Sequence, residues 1–140
     1  MNPRDVLDFW RAAGAGKWFN GGADFDGECR ARFLDAHFAA ARRELADWMG
    51  DADGALALVL LLDQIPRNVF RGSGHAFATD GLAREFARKA VEAGFDQRVD
   101  PALRLFFYMP FEHSEALADQ ERSVALLAKP RPSGPARTGA

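Results

Sequence analysis

The sequence contains little of the chemistry on which many protein classes depend. Its 140 residues include one cysteine, Cys29, and three histidines. A single cysteine can form neither an internal disulfide nor a zinc site built from several thiolates, and it is typical of a reducing compartment. We therefore expect a cytoplasmic protein without a metal centre. Cys29 lies four residues from Phe25 and from Phe33, so it is expected to pack as a small apolar side chain.

Long apolar runs and an excess of charge of one sign are also missing. The longest apolar run, residues 55–62, is far shorter than the ~20 residues that a membrane-spanning helix needs. The amino terminus carries Asp5 and no long apolar region, so no signal peptide is expected. The net charge is −2, and basic residues are not interleaved with the aromatic ones. These features argue against nucleic acid and membranes as partners.

The short motifs of metal, nucleotide and hydrolase sites are absent as well. The Glu-x-x-His pattern of di-iron bundles is excluded by the residues three positions before the histidines, which are Leu34, Gly72 and Pro110. The segment at residues 72–75 is not followed by the Gly-Lys-Ser/Thr of a phosphate loop, and Ser114 lacks a Gly-x-Ser-x-Gly context. We expect no cofactor, and an exposed His75 without a role.

Apolar residues recur at spacings of three and four, which predicts an all-α fold. Capping residues such as Asn2, which precedes Pro3, divide the chain into about six helices, arranged as an antiparallel array. The third helix, around "DADGALALVLLLDQ", is apolar almost all round and is therefore expected to be central. Residues 129–140 are rich in proline, glycine and arginine. We predict one helical domain over residues 1–128 and a disordered tail over 129–140.

Polar residues fall within apolar helix faces at three places. Asp63 shares a face with Leu56, Val59 and Leu60 on the third helix, and Glu121 shares one with Leu117, Val124 and Ala128 on the sixth. Arg30, His37 and Glu44, each seven residues from the next, fall inside the apolar arc of the second helix. A buried carboxylate costs several kcal/mol unless it is paired. We therefore expect Asp63 and Glu121 to form one network with cations drawn from Arg67, Arg71 and Arg104.

This network, which His113 and Asn68 could extend, has two interpretations. The first is a set of ion pairs that fixes the register of the helices, and it is favoured because such pairs commonly lack any further function. The alternative is a polar pocket in which His113 or Glu121 is a general base and the arginines hold an anion.

Three segments, "VLDFW", "LLDQIPRNVFRG" and "MPFEHSEALADQE", occur in the order found in an uncharacterised bacterial family, DUF924. The chain resembles this family from about Val6 to Leu127. The resemblance assigns residues to two family motifs. The first contains Asp63, Gln64, Pro66, Arg67, Asn68 and Arg71, and the second contains His113, Ser114, Glu115, Gln120 and Glu121.

The resemblance implies stacked antiparallel helix pairs similar to tetratricopeptide-repeat folds, and no assigned molecular function. It favours a helical interaction module that binds a peptide, a partner helix or a second copy of the chain. A small enzyme or anion-binding protein is the alternative. The sequence departs from the family at Lys129, which suggests a truncation or an altered reading frame. A missing helix would leave an apolar groove uncovered, so we expect self-association.

Overall fold

Six α-helices and short 3₁₀ turns form the computed structural model of the chain, which describes residues 1–114 and 116–127. The helices are α1 Pro3–Asn20, α2 Gly22–Ala41, α3 Ala52–Val69, α4 Asp80–Glu92, α5 Leu105–Glu112 and α6 Leu117–Leu127. The described ranges contain no strand, and the predicted all-α class with six helices is confirmed. Glu115 and the predicted tail 129–140 lie outside the described residues, and the boundary at residue 128 stays a prediction.

Helix α3 lies at the centre of the fold, as its apolar sequence predicted. Its first turn is capped by Asp51, whose carboxylate accepts a hydrogen bond from the backbone N–H of Gly54 at 2.7 Å. Every residue from Gly54 to Pro66 is buried, and the helix packs against α1, α2, α4 and α5. In the described part of the chain, neither α3 nor any other helix combines the length and apolarity needed to cross a membrane.

Pro66 does not end α3, which continues to Val69. A proline has no N–H for the carbonyl four residues earlier, which here belongs to Leu62. The hydroxyl of Thr79 donates to this carbonyl at 2.6 Å, and the ring Nδ1 of His37 donates to the carbonyl of Leu61 at 2.7 Å. Side chains from outside α3 thus satisfy two carbonyls in the turn before the proline. The buried ring of His37 is one of them.

Helix α1 joins the core through its aromatic residues. It begins with the predicted cap, in which the Asn2 side chain accepts from the backbone N–H of Asp5 at 3.2 Å. Its regular conformation breaks at Gly14, whose φ of +75° favours glycine. Beyond the break, the indole N–H of Trp18 donates to the carbonyl of Trp10 at 2.7 Å. The two parts of α1 are thereby fixed to one another.

Helix α6 turns a different face to the core from the one predicted. Glu121 is exposed, and Val124 on the same face is 69% exposed. Among the side chains of α6 that the structure describes, that of Ser123 is buried, and its hydroxyl is 3.4 Å from the carbonyl of Tyr108 on α5. A small hydroxyl side chain lets α6 approach the α5 backbone closely and satisfies a carbonyl there. The prediction that Glu121 is a buried carboxylate is therefore wrong.

Candidate functional site

The carboxylate of Asp63 is the buried centre of the candidate site, as the pattern of α3 predicted. Its side chain is 1% exposed, because the residue lies in the last turns of a helix that is enclosed on all sides. Oδ2 accepts from the side-chain amide of Gln64 at 2.9 Å. Oδ1 accepts from Arg67 at 3.2 Å and lies 2.9 Å from Nδ1 of His113. Both oxygens of Asp63 are thus hydrogen-bonded, and the ion pair with Arg67 is made through Oδ1.

Arg67 connects the end of α3 to the start of α4. Its Nη1 donates to the backbone carbonyl of Asp63 at 2.8 Å as well as to the Asp63 carboxylate. Both Nη atoms also donate to Asp80, at 2.8 and 3.0 Å, in a two-pronged ion pair. Two carboxylates therefore neutralise this one guanidinium, and Arg67 has little positive charge left for an external anion.

His113 follows the end of α5 and carries the one imidazole of the site. Because Asp63 holds Nδ1, the other ring nitrogen, Nε2, is the one left for a ligand. Nε2 forms no hydrogen bond with any residue in the described ranges. The carboxylate acceptor also fixes the tautomer of the neutral ring, with the proton on Nδ1 and a lone pair on Nε2. The ring is therefore oriented as a general base requires.

His113 faces a cavity of about 840 Å³ between the start of α4 and the start of α6. The cavity is lined by Arg67, Phe77, Asp80, Arg84, His113, Ser114, Ala116 and Asp119. The Phe77 ring is 59% exposed and packs over Arg67, 5.3 Å from its guanidinium carbon. Nε of Arg84 is 3.9 Å from the Asp119 carboxylate, which is too far for a hydrogen bond. Arg84 is thus less tightly paired than Arg67.

Ser114 and Gln120 build the turn that leads from His113 into α6. The Ser114 hydroxyl donates to the Asp119 carboxylate at 2.7 Å and accepts from the backbone N–H of Ala116 at 3.1 Å. The side-chain amide of Gln120 donates to the carbonyl of Ser114 at 2.8 Å. These bonds fix the wall of the cavity next to His113.

Asn68 and Arg71, which were predicted to belong to the same cluster, contact a different carboxylate. Both donate to Asp26 on α2, Asn68 at 2.9 Å and Arg71 at 2.7 and 3.1 Å. The hydrogen bonds from Arg71, together with that from Asn68, hold the pKa of the Asp26 carboxyl below its ordinary value. This second cluster connects the end of α3 to α2 and contributes no residue to the lining of the cavity.

Glu121 and Arg104 take no part in the site. Glu121 is exposed and forms no ion pair in the described part of the chain. Arg104 donates through Nε to the backbone carbonyl of Asp96 at 2.8 Å, and Asp96 also accepts from the Tyr108 hydroxyl at 2.7 Å. The predicted single network is therefore divided into separate clusters, and its proposed contact between Glu121 and the arginines does not exist.

His75 is not the exposed residue without contacts that the sequence suggested. Its Nε2 lies 3.2 Å from Nε2 of His37, and its ring packs edge-on against Phe70 with the centroids 4.3 Å apart.

In the described ranges, no group of three or more histidine, cysteine or acidic side chains is arranged to hold a metal ion.

Sequence reasoning missed the acids that pair with the arginines of α3. Asp26 precedes Phe33 by seven residues and His37 by eleven, so helical periodicity places it on the face of α2 that is turned to the core. Asp80 is the first residue of α4. Its additional contact with Arg67 depends on how α4 packs against α3.

Comparison with known families identifies the chain. Residues 6–138 match the family model for DUF924, described as a bacterial protein of unknown function. The chain belongs to the DUF924 family. The resemblance seen in the sequence motifs is thereby confirmed. No curated protein matches the chain.

A solved structure supports the fold of this DUF924 chain. It is that of a protein of unknown function, ATU0120, from Agrobacterium tumefaciens. The two sequences are 55% identical, and the TM-score is 0.86. The match covers 89% of the present chain and 70% of the other chain. Neither comparison assigns a function, so function has to be argued from the site.

Proposed function

We propose that this DUF924 protein binds a small polar molecule in the cavity beside His113 and acts on it by acid–base chemistry. The observation that carries the proposal is the buried Asp63 carboxylate, which holds Nδ1 of His113 at 2.9 Å while His113 lines an open cavity. A carboxylate behind an imidazole orients the ring and stabilises its protonated form after the ring has accepted a proton. His113 is accordingly the proposed general base.

The proposed role of Asp63 is mainly to orient the His113 imidazole, because Arg67 partly neutralises the negative charge of the carboxylate. Oδ1 of Asp63 accepts from Arg67 and His113 together, so the pull of the carboxylate on the ring proton is weakened. Arg67 is itself paired with Asp80. The arginine at this site is therefore proposed to hold the carboxylate in place rather than to bind substrate.

Arg84 and Phe77 indicate which groups the ligand carries. The guanidinium of Arg84 lines the cavity without a close hydrogen-bonded carboxylate, and it suits an anionic group of the ligand. Phe77 offers an exposed aromatic face at the same cavity. A small organic carboxylate or phosphate with an apolar part satisfies both contacts.

Binding of small carboxylates and phosphates is expected to shift the NMR signals of the His113 imidazole and to leave those of His37 unchanged. His113→Asn keeps an amide near the position of Nδ1, so that the contact with Asp63 can persist, and it removes Nε2. We expect this variant to bind the same compounds at least about tenfold more weakly, the loss of one charge-assisted hydrogen bond of roughly 1.5 kcal/mol. Titrations followed by NMR and by thermal shift provide the measurement.

Glu121→Gln is the matched control, since Glu121 was the other predicted base and lies outside the cavity. It should bind the compounds as the wild type does. Equal binding by wild type and His113→Asn would contradict the proposal, as would a compound set that leaves the His113 signals unmoved.

A second candidate function is self-association through the outer face of α6. Val124 and Leu127, three residues apart on this helix, are 69% and 49% exposed. Neighbouring apolar side chains at this exposure favour a protein partner, for which a second copy of the chain is proposed. Self-association of this kind agrees with the helical interaction module that the resemblance favours.

Light scattering over a range of protein concentrations is expected to show a dimer whose population falls in Val124→Glu. Phe19→Glu is the control, because Phe19 is similarly exposed but lies on α1. A wild-type chain that remains monomeric at high micromolar concentration would contradict self-association and leave the cavity as the remaining candidate.

The cytoplasm is the proposed compartment. Cys29 is fully buried as a free thiol, and burial raises its pKa to about 12. Such a thiol resists oxidation and disulfide exchange. The single unpaired cysteine is typical of proteins of reducing compartments, which supports this assignment.

A further inference from the structure

The 3₁₀ turn Gly74–Phe77 is attached to the core by a pair of histidines. His37 on α2 is fully buried, and its Nδ1 donates to the Leu61 carbonyl at 2.7 Å. Its Nε2 lies 3.2 Å from Nε2 of His75 in the turn. The ring of His75 also packs against Phe70. These contacts are separate from those of Asp63 and His113.

The hydrogen bonds fix how many protons the pair can hold. A carbonyl only accepts, so Nδ1 of His37 always carries its proton and the neutral ring has a lone pair on Nε2. One proton between the two Nε2 atoms completes the N–H···N bond. A second proton between the two Nε2 atoms would bring two N–H groups face to face at this distance, and once Nδ1 of His75 is protonated as well, both rings would carry a positive charge.

The orientation of the rings fits this hydrogen bond and does not fit a shared metal ion. The ring centroids are 5.4 Å apart and the Nε2 atoms 3.2 Å apart. The centroid distance exceeds the Nε2···Nε2 distance by about one imidazole diameter. Each Nε2 atom therefore lies close to the line that joins the two ring centroids. Two ligands of a tetrahedral ion would instead meet at an angle.

The turn also carries Phe77, which contacts Arg67 at the mouth of the cavity. Gly72 before the turn has a φ of +87°, and Thr79 after it is held by the Leu62 carbonyl. The chain can therefore pivot between these two positions if the histidine pair separates.

We propose that residues 74–77 form an acid-sensitive latch, which opens when the His37–His75 pair takes up a second proton and which then carries Phe77 away from the cavity. The proposal concerns regulation of the proposed site, but the opening of the turn does not depend on what the cavity binds.

The charged groups near the pair, within the residues that the structure describes, are an additional cation and arginines that are already paired with acids. Arg30 on α2 lies 5.9 Å from the centroid of the Phe70 ring and adds positive charge. After α3, Arg71 is paired with Asp26, and within α3 Arg67 is paired with Asp63 and Asp80. No carboxylate in the described part of the chain forms a hydrogen bond with either imidazole of the pair.

The sign of the pH effect follows from His37. Burial, and in addition the neighbouring His75, hold the pKa of His37 below its ordinary value in the folded protein. The released or unfolded ring binds protons at a pH where the docked ring does not. The docked state is therefore fully stable above about pH 6.5, the ordinary value for histidine, and is weakened as the pH falls below it.

Hydrogen exchange of the backbone amides of Ala76 and Ala78 tests the latch, because their hydrogen bonds to Ser73 and His75 form only in the turn. After correction for the intrinsic exchange rate, the opening is expected to increase roughly tenfold for each pH unit below about 6.5. Amides in the middle of α3 should stay protected, which distinguishes local opening from unfolding.

His75→Gln keeps an N–H donor for Nε2 of His37 and cannot take up a proton. In this variant the opening should rise by less than about threefold per pH unit, because the glutamine amide can rotate and present its oxygen to a protonated His37, so that the docked turn accommodates that ring in either state. His113→Asn should keep the pH dependence of the wild type. A turn that exchanges independently of pH in the wild type, or an unchanged pH dependence in His75→Gln, would overturn the latch. Failure of ligands to bind the cavity would affect only the proposed function.

Discussion

Replacing Arg67 with alanine is expected to lower the free energy of unfolding by about 3–5 kcal/mol, as found when one partner of a buried ion pair is removed. The Asp63 carboxylate is 1% exposed and would lose its arginine partner, so that only the contacts with Gln64 and His113 would remain. Asp80 would lose its two-pronged contact as well. Denaturant unfolding followed by circular dichroism measures the loss.

Arg71→Ala is the matched control for this experiment. Arg71 makes an equally short ion pair, with Asp26, but its side chain is 63% exposed. Exposed pairs contribute at most about 1 kcal/mol, so this variant should unfold close to the wild type. Equal losses in the two variants would show that the Asp63 cluster does not stabilise the fold in the manner described.

The contrast between Asp63 and Glu121 shows which part of the site the sequence could predict. Helix α3 is apolar on nearly every face, so a carboxylate in its final turns had to be buried whichever way the helix was rotated. Helix α6 packs along one face against α5, and the sequence alone did not show which face. Because Ser123 allows closer contact than a larger side chain, the face with Glu121 remained in solvent.

Pairing between distant helices could not be predicted from spacing alone. Arg67, Asn68 and Arg71 near the end of α3 were predicted to join one network. Arg67 contacts Asp63 and Asp80, whereas Asn68 and Arg71 contact Asp26. The division depends on the rotation of α3 relative to α2 and α4. His75 was misjudged for a similar reason, since a histidine between a glycine and an alanine carries no local sign of a buried partner such as His37.

The division of the polar residues has a consequence for function. The arginine clusters support the first interpretation, in which ion pairs fix the register of the helices. Their donors are occupied by acids from neighbouring helices. His113 fits that interpretation less well, since Nε2 has no partner in the described part of the chain and the ring borders a cavity. Buried ion pairs therefore support an imidazole that is only partly buried and borders the cavity, which is the arrangement on which the proposed acid–base site depends.

Phe106→Ala is the second substitution for which we expect a large effect, a loss of about 3–5 kcal/mol in the free energy of unfolding. The Phe106 side chain is fully buried and lies edge-on to Trp10 and Trp18, with ring centroids 5.5 and 5.0 Å apart. Its removal leaves a cavity between α1 and α5 and breaks both aromatic contacts. Unfolding should be followed by circular dichroism, because the loss of the Phe106 ring would itself alter the fluorescence of Trp10 and Trp18 in the folded state.

Phe19→Ala is the control for Phe106, because Phe19 also contacts Trp18 edge-on, at 6.2 Å, but is 55% exposed. We expect it to lose less than about 1 kcal/mol, since little apolar surface is returned to water. If Phe106→Ala lost no more than this, α1 would not be held to the core by its tryptophans. The break at Gly14 would then separate two weakly attached segments, rather than place Trp18 against Trp10 and Phe106.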